Sequence, residues 1–81
     1  MRYILPRHFA EKLDTLPQNI QAKFWKQLRF LLQNLRHPSL RAKKYSEVEG
    51  IWQARVDRSY RFYFLIEKNV YVLLNIKPHP E

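Results

Sequence analysis

The chain has no cysteine, which removes disulfide staples, thiol nucleophiles and cysteine metal centres from consideration. Acidic residues are also scarce: 7 Asp and Glu stand against 15 Lys and Arg, a net charge of +8. The longest apolar runs fall far short of the roughly 20 residues a membrane helix needs. The N-terminus MRYILPRHF carries no signal-peptide core, so a cytoplasmic location is expected. Glycine occurs once. His8, His37 and His79 lack the spacing of metal ligands, and no metal or cofactor is expected. Repeats, linkers and low-complexity tracts are absent too.

Hydrophobic residues make up 46% of the chain and aromatic residues 15%, enough for a packed core and unlike a disordered tail. Eighty-one residues make a single domain, 1–81, which buries only about 60–65% of its unfolded surface. The positive field favours nucleic acid or an acidic protein partner, through faster encounter and counterion release. Charge alone does not choose between these, or between either of them and an inert basic surface.

Arg2 to Leu5 is a short apolar run stopped by Pro6, and reads as a first strand. Phe9, Leu13 and Leu16 then recur at helical spacing, placing a short helix over 6–16. Pro17 starts a second helix, whose apolar stripe runs through Ile20, Phe24, Gln27 or Leu28, Leu31 and Leu35. That helix is expected to reach about Arg36 and to stop before Pro38. His37 to Glu49 has no clear period and reads as a loop or irregular strand, basic at its start.

Gly50 to Phe64 alternates as a hairpin. Trp52, Ala54 and Val56 share one face with Tyr60, Phe62 and Phe64, which leaves Arg55 and Arg61 together on the other. Glu67-Lys68-Asn69 is a turn, and Val70 to Ile76 is the most strand-prone run in the chain. Uninterrupted alternation there puts Tyr71, Leu73, Asn75 and Lys77 on the face opposite Val70, Val72, Leu74 and Ile76. The expected fold is α+β, in the order β-α-α-β-β-β, with an antiparallel sheet and a two-helix hairpin on one of its faces. On the other face Tyr63, Leu65, Tyr71 and Leu73 would form an apolar patch of the kind that marks a protein contact, unless the 37–49 segment folds over it.

The order of these elements, with HPSL before the basic segment, Gly50-Ile51-Trp52, Arg55, Tyr60-Arg61-Phe62 and His79, resembles the RelE/ParE superfamily of toxins. It is most similar to the YoeB-like and RelE-like messenger RNA endonucleases. The resemblance implies cleavage of messenger RNA in the ribosomal decoding site, by attack of a 2′-hydroxyl on the adjacent phosphate. It also implies an antitoxin protein as partner, seated on the basic face and on Tyr63, Leu65, Tyr71 and Leu73. Arg61 then stabilises the reacting phosphate, His79 exchanges protons, and Lys44 assists. Arg55, Lys43, Arg41 and Lys77 contact RNA. The chain departs from the pattern at Ala42, where a general-base glutamate would fall, with Glu47 or Glu49 as substitutes only if the segment shifts. It departs again at Pro80, where a tyrosine would follow the histidine, and it has no C-terminal helix with a tyrosine. Alternative readings are a ParE-like inhibitor of DNA gyrase and an inactive relative that still binds an antitoxin.

Overall fold

The computed structural model describes residues 1–79. The chain runs β1 (Arg2–Ile4), α1 (Arg7–Asp14), α2 (Gln18–Gln33), a 3-10 turn (Pro38–Leu40), β2 (Lys43–Ser46), β3 (Ile51–Arg55), β4 (Tyr60–Glu67) and β5 (Val70–Pro78). Pro80, where the family pattern has a tyrosine, lies outside the described residues.

Both helices start at a proline. Pro6 and Pro17 hold extended ψ angles of 155° and 146°, and their carbonyls accept the first helical amides: Phe9 and Ala10 at Pro6, Ile20 and Gln21 at Pro17. A missing proline N–H costs nothing at a helix start, because that donor has no intrahelical acceptor. The second helix stops at Gln33 rather than near Arg36. Asn34 turns extended, with φ −163° and ψ 113°, and its side-chain oxygen accepts the Arg36 amide at 2.9 Å. This side-chain turn competes with another round of helix.

The sheet order is β1-β5-β4-β3-β2. The meander β2 to β5 is antiparallel as expected, but β1 adds to the far edge parallel to β5, so the sheet is mixed and has five strands. The basic segment supplies the extra strand, β2. Lys68 and Asn69 both adopt positive φ, 47° and 66°, forming the two-residue turn that suits the right-handed twist of the β4–β5 hairpin.

Both helices cover one face. Phe9 and Leu13 of α1 and Ile20, Phe24, Leu28 and Leu31 of α2 pack on Ala54, Val56, Phe62 and Phe64, as the alternation of the hairpin requires. Phe24 sits at the centre, with ring centroids 5.3 Å from both Phe9 and Phe62. Helix stripe and strand alternation thus converge on a single core.

The last strand corrects the expected alternation. Tyr63 pairs with Asn75 and Phe64 with Leu73, so Leu74 is an extra residue and the strand changes parity there. Tyr71 and Leu73 therefore point into the helix-covered core, with Tyr71 edge-on to Phe64 at 5.5 Å. Neither can belong to an open-face patch. Tyr63 stays on the open face but is covered by Tyr45 of β2, at 4.9 Å and 68°. Leu65 keeps the open face half-buried, and the register sets Val72 and then Ile4 beside it. The apolar row on that face is Ile4, Val72 and Leu65.

Candidate anion-binding site

The open face is set by the pairings Lys43 with Gln53, Gln53 with Tyr63, Arg55 with Arg61, and Arg61 with Lys77. Paired residues share a face, so these rows place cationic side chains beside one another. Arg41, Lys43, Gln53, Arg55, Arg61 and His79 line a cleft of about 330 Å³, and none of the described residues that line it is a carboxylate.

Four devices hold the cleft in shape. Asp57, at the tip of the β3–β4 hairpin, accepts the amides of Ser59 and Tyr60 at 2.8 and 2.9 Å, and Lys23 of α2 lies 3.3 Å from its other oxygen. Burial works to raise the Asp57 pKa, but these two amides and the Lys23 ammonium outweigh it and keep the carboxyl below its ordinary range. The turn so fixed presents carbonyls to Arg61, whose Nη1 donates to Asp57 O at 2.7 Å and Tyr60 O at 3.0 Å. The same turn ties down the chain end, because the His79 amide donates to Ser59 O at 2.7 Å.

The third device is Gln27, a polar residue within the apolar stripe of α2 and only 4% exposed. Its Nε2 donates to the carbonyls of Ser39 and Arg55 at 3.0 and 2.9 Å, and its Oε1 accepts from Ser39 Oγ at 3.2 Å. One amide thus joins the second helix, the 3-10 turn and the end of β3. The fourth is Arg41, held in left-handed backbone with φ 47° and ψ 44° just after the 3-10 turn. A non-glycine residue there carries some strain, which the surrounding structure has to offset.

The charges are crowded. Burial pushes the Arg61 pKa down, and the neighbouring Arg55 and Arg41 push it the same way, while Tyr63 and Asp57 oppose them. The guanidinium nevertheless stays protonated at neutral pH. Arg55 has its Nε buried without a hydrogen-bond partner among the described residues, a costly condition. Tyr63, beneath Tyr45, has its pKa raised by burial and remains a neutral phenol. Lys77 lies 5.1 Å over the Tyr63 ring, on the open face but outside the cleft lining.

Of the residues singled out in the sequence, Arg41, Lys43, Arg55, Arg61 and His79 therefore meet in one cleft, with Lys77 beside it. Lys44 does not. It pairs with Trp52 on the other side of the sheet, 5.3 Å over that ring, and its Nζ lies 3.8 Å from Glu47. Its neighbour Lys43 reaches the cleft because adjacent residues of a strand face opposite ways. Ala42, Glu47 and Glu49 contribute nothing to the lining. Gln53, Gln27 and Asp57 were not singled out as site residues. The signal for Gln27 was a polar residue in an apolar helical stripe, and that for Asp57 was an aspartate at a hairpin tip followed by Arg-Ser.

The architecture is that of the RelE/ParE-like toxin fold, as solved structures of low sequence identity show. One is a YoeB/ParE toxin from Agrobacterium tumefaciens, which superposes with a TM-score of 0.78 at 10% identity, over 99% of this chain and 100% of that one. Another is the archaeal RelE-RelB complex from Pyrococcus horikoshii OT3, with a TM-score of 0.72 at 20% identity, over 95% of this chain and 92% of that one. No family model and no curated protein sequence matches the chain.

Proposed function

We propose that this protein is the toxin of a toxin–antitoxin pair and cleaves messenger RNA on the ribosome. The observation that carries the reading is the cleft itself: Arg41, Lys43, Arg55, Arg61 and His79 converge with no carboxylate among the described residues that line it. Such a cavity suits a phosphate that gains charge as it reacts.

In this reading the 2′-oxygen attacks the adjacent phosphorus, the bond to the 5′-oxygen breaks, and the strand ends are a 2′,3′-cyclic phosphate and a 5′-hydroxyl. One proton leaves the 2′-hydroxyl and one reaches the 5′-oxygen. Arg61, oriented by the Asp57 and Tyr60 carbonyls, and Arg55 hold the phosphoryl oxygens. His79, anchored at Ser59, exchanges a proton with the reacting oxygens, and Lys43 takes the assisting role first assigned to Lys44. An acidic antitoxin segment would cover the cleft together with the apolar row Ile4, Val72 and Leu65. The solved RelE-RelB complex supports an antitoxin protein as partner.

A second reading is a ParE-like gyrase inhibitor on the same scaffold. It is favoured by the displacement of Lys44 and by the lack of a carboxylate base among the described residues of the cleft, which leave proton transfer there to His79 and Lys43. The purified chain added to a translating extract, with new 5′ ends mapped on the message and gyrase supercoiling run in parallel, separates the two. Ends clustered at ribosome-occupied codons support cleavage. Lost supercoiling without new ends transfers the assignment to gyrase, and neither effect leaves an inactive relative.

A further inference from the structure

A second and larger cleft, about 720 Å³, lies beside the first, between α2 and the β3–β4 hairpin tip. Arg41 and Arg55 line both, so the two form one continuous cationic surface. Lys26 of α2 and Arg58 of the hairpin tip add exposed charge to it. Among the described residues its single carboxylate, Asp57, has its oxygens engaged by Ser59, Tyr60 and Lys23, and so leaves Lys26, Arg41, Arg55 and Arg58 without a carboxylate partner in the lining.

The cleft is also built rather than incidental. Gln27 forms part of its lining and fixes the backbone on both sides through Ser39 and Arg55. The half-buried His37 ring lies flat on Phe30, with centroids 3.9 Å apart and planes within 6°, and lines the same cleft. A rigid ring beside a row of cations is the combination by which proteins hold single-stranded nucleic acid, through phosphate contacts and base stacking.

We propose that this larger cleft is a flanking subsite, which holds the nucleotide next to the reacting one on the same RNA strand. Two cationic clefts joined through shared arginines fit a ligand with phosphates at regular intervals better than they fit one isolated anion. Lys26 and Arg58 contact the flanking phosphate, Arg41 and Arg55 bridge to the reacting one, and His37 offers its ring to the base. The inference rests on the cleavage reading for the identity of the strand, and the test separates the two.

The probe is binding of 2′-O-methyl oligonucleotides, which cannot be cut, measured by fluorescence anisotropy across a range of salt concentrations. A dinucleotide with one phosphate and a hexanucleotide are compared. Each phosphate contact on a single strand contributes about 0.7 to the slope of log affinity against log salt. The double variant Lys26→Ala/Arg58→Ala, which removes the flanking phosphate contact, is therefore expected to lower the hexanucleotide slope by about 0.7 and to leave the dinucleotide slope unchanged. Both side chains are exposed, so the fold is expected to tolerate the change. A hexanucleotide slope equal to that of the wild type overturns the subsite, and leaves the cleavage reading standing if the message is still cut in the extract. A lowered slope with no cutting in the extract supports the subsite and overturns cleavage. A hexaglutamate peptide whose binding depends on Lys26 and Arg58, while oligonucleotide binding does not, would give the cleft to an acidic protein segment and overturn the proposal.

Discussion

Replacing Gln27 by Leu removes three hydrogen bonds from one buried position without opening a large cavity. The lost contacts are Nε2 to Ser39 O at 3.0 Å, Nε2 to Arg55 O at 2.9 Å, and Ser39 Oγ to Oε1 at 3.2 Å. A buried carbonyl deprived of its donor costs about 1–3 kcal/mol. Two carbonyls are affected; Ser39 lies at the surface, where water recovers part of the loss, and the leucine regains some apolar contact. The net destabilisation is about 2–4 kcal/mol. For a domain of this size each kcal/mol moves the melting temperature by about 4–8 °C, so Gln27→Leu should melt roughly 10–25 °C below the wild type. Thermal unfolding followed by circular dichroism measures this directly. A variant melting within about 3 °C of the wild type would refute the claim that this amide holds helix, turn and strand together.

Asp57 makes stability sensitive to acid. Its folded pKa lies below its unfolded value, so the carboxylate stabilises the protein above the unfolded value of about 4, and that contribution is lost as pH falls through the folded value. Asp57→Asn should lower stability at neutral pH and reduce its decline on acidification, as urea titrations at several pH values would show; an unchanged acid limb would remove Asp57 from the account. Lys43→Gln is expected to slow cleavage about tenfold or more, whereas Lys44→Gln should leave the rate within about twofold, and equal losses would contradict the separation of the two lysines by the sheet. His79→Gln should reduce cleavage and flatten its pH dependence between about 5 and 8, as initial rates across that range would show. A parallel loss at every pH would mean that the histidine only shapes the cleft.

The parts of this fold that were legible in the sequence are those where one local pattern runs without interruption. From Ile51 to Phe64 the alternation holds through the hairpin, and the structure puts Arg55 and Arg61 side by side accordingly. The helix starts were legible because proline is favoured in the first helical turn, where its missing N–H has no acceptor to serve, and the apolar stripes follow directly after Pro6 and Pro17. What the sequence hid are choices made by neighbouring strands. The extra residue at Leu74 carries no glycine or proline to mark it, yet it moves Tyr71 and Leu73 from the open face into the core. The four residues of β2 are too few to show alternation, so whether Lys43 or Lys44 faced the cleft depended on pairing with β3. Likewise β1 was visible as a strand, but its parallel seat beside β5 is set by partners nearly 70 residues away. The apolar row on the open face shifted for the same reason, from Tyr63, Leu65, Tyr71 and Leu73 to Ile4, Val72 and Leu65.

Arg61 carries the central claim, that the cationic cleft stabilises a reacting phosphate. Its guanidinium is fixed by the hairpin carbonyls, and its loss deletes a side chain without touching the helix-covered core. The decisive measurement is the rate of cleavage of ribosome-bound message by the wild type and by Arg61→Ala, with folding of the variant checked by circular dichroism. The account predicts a folded variant that cuts on the order of 100-fold more slowly. A folded variant cutting at nearly the wild-type rate would contradict it.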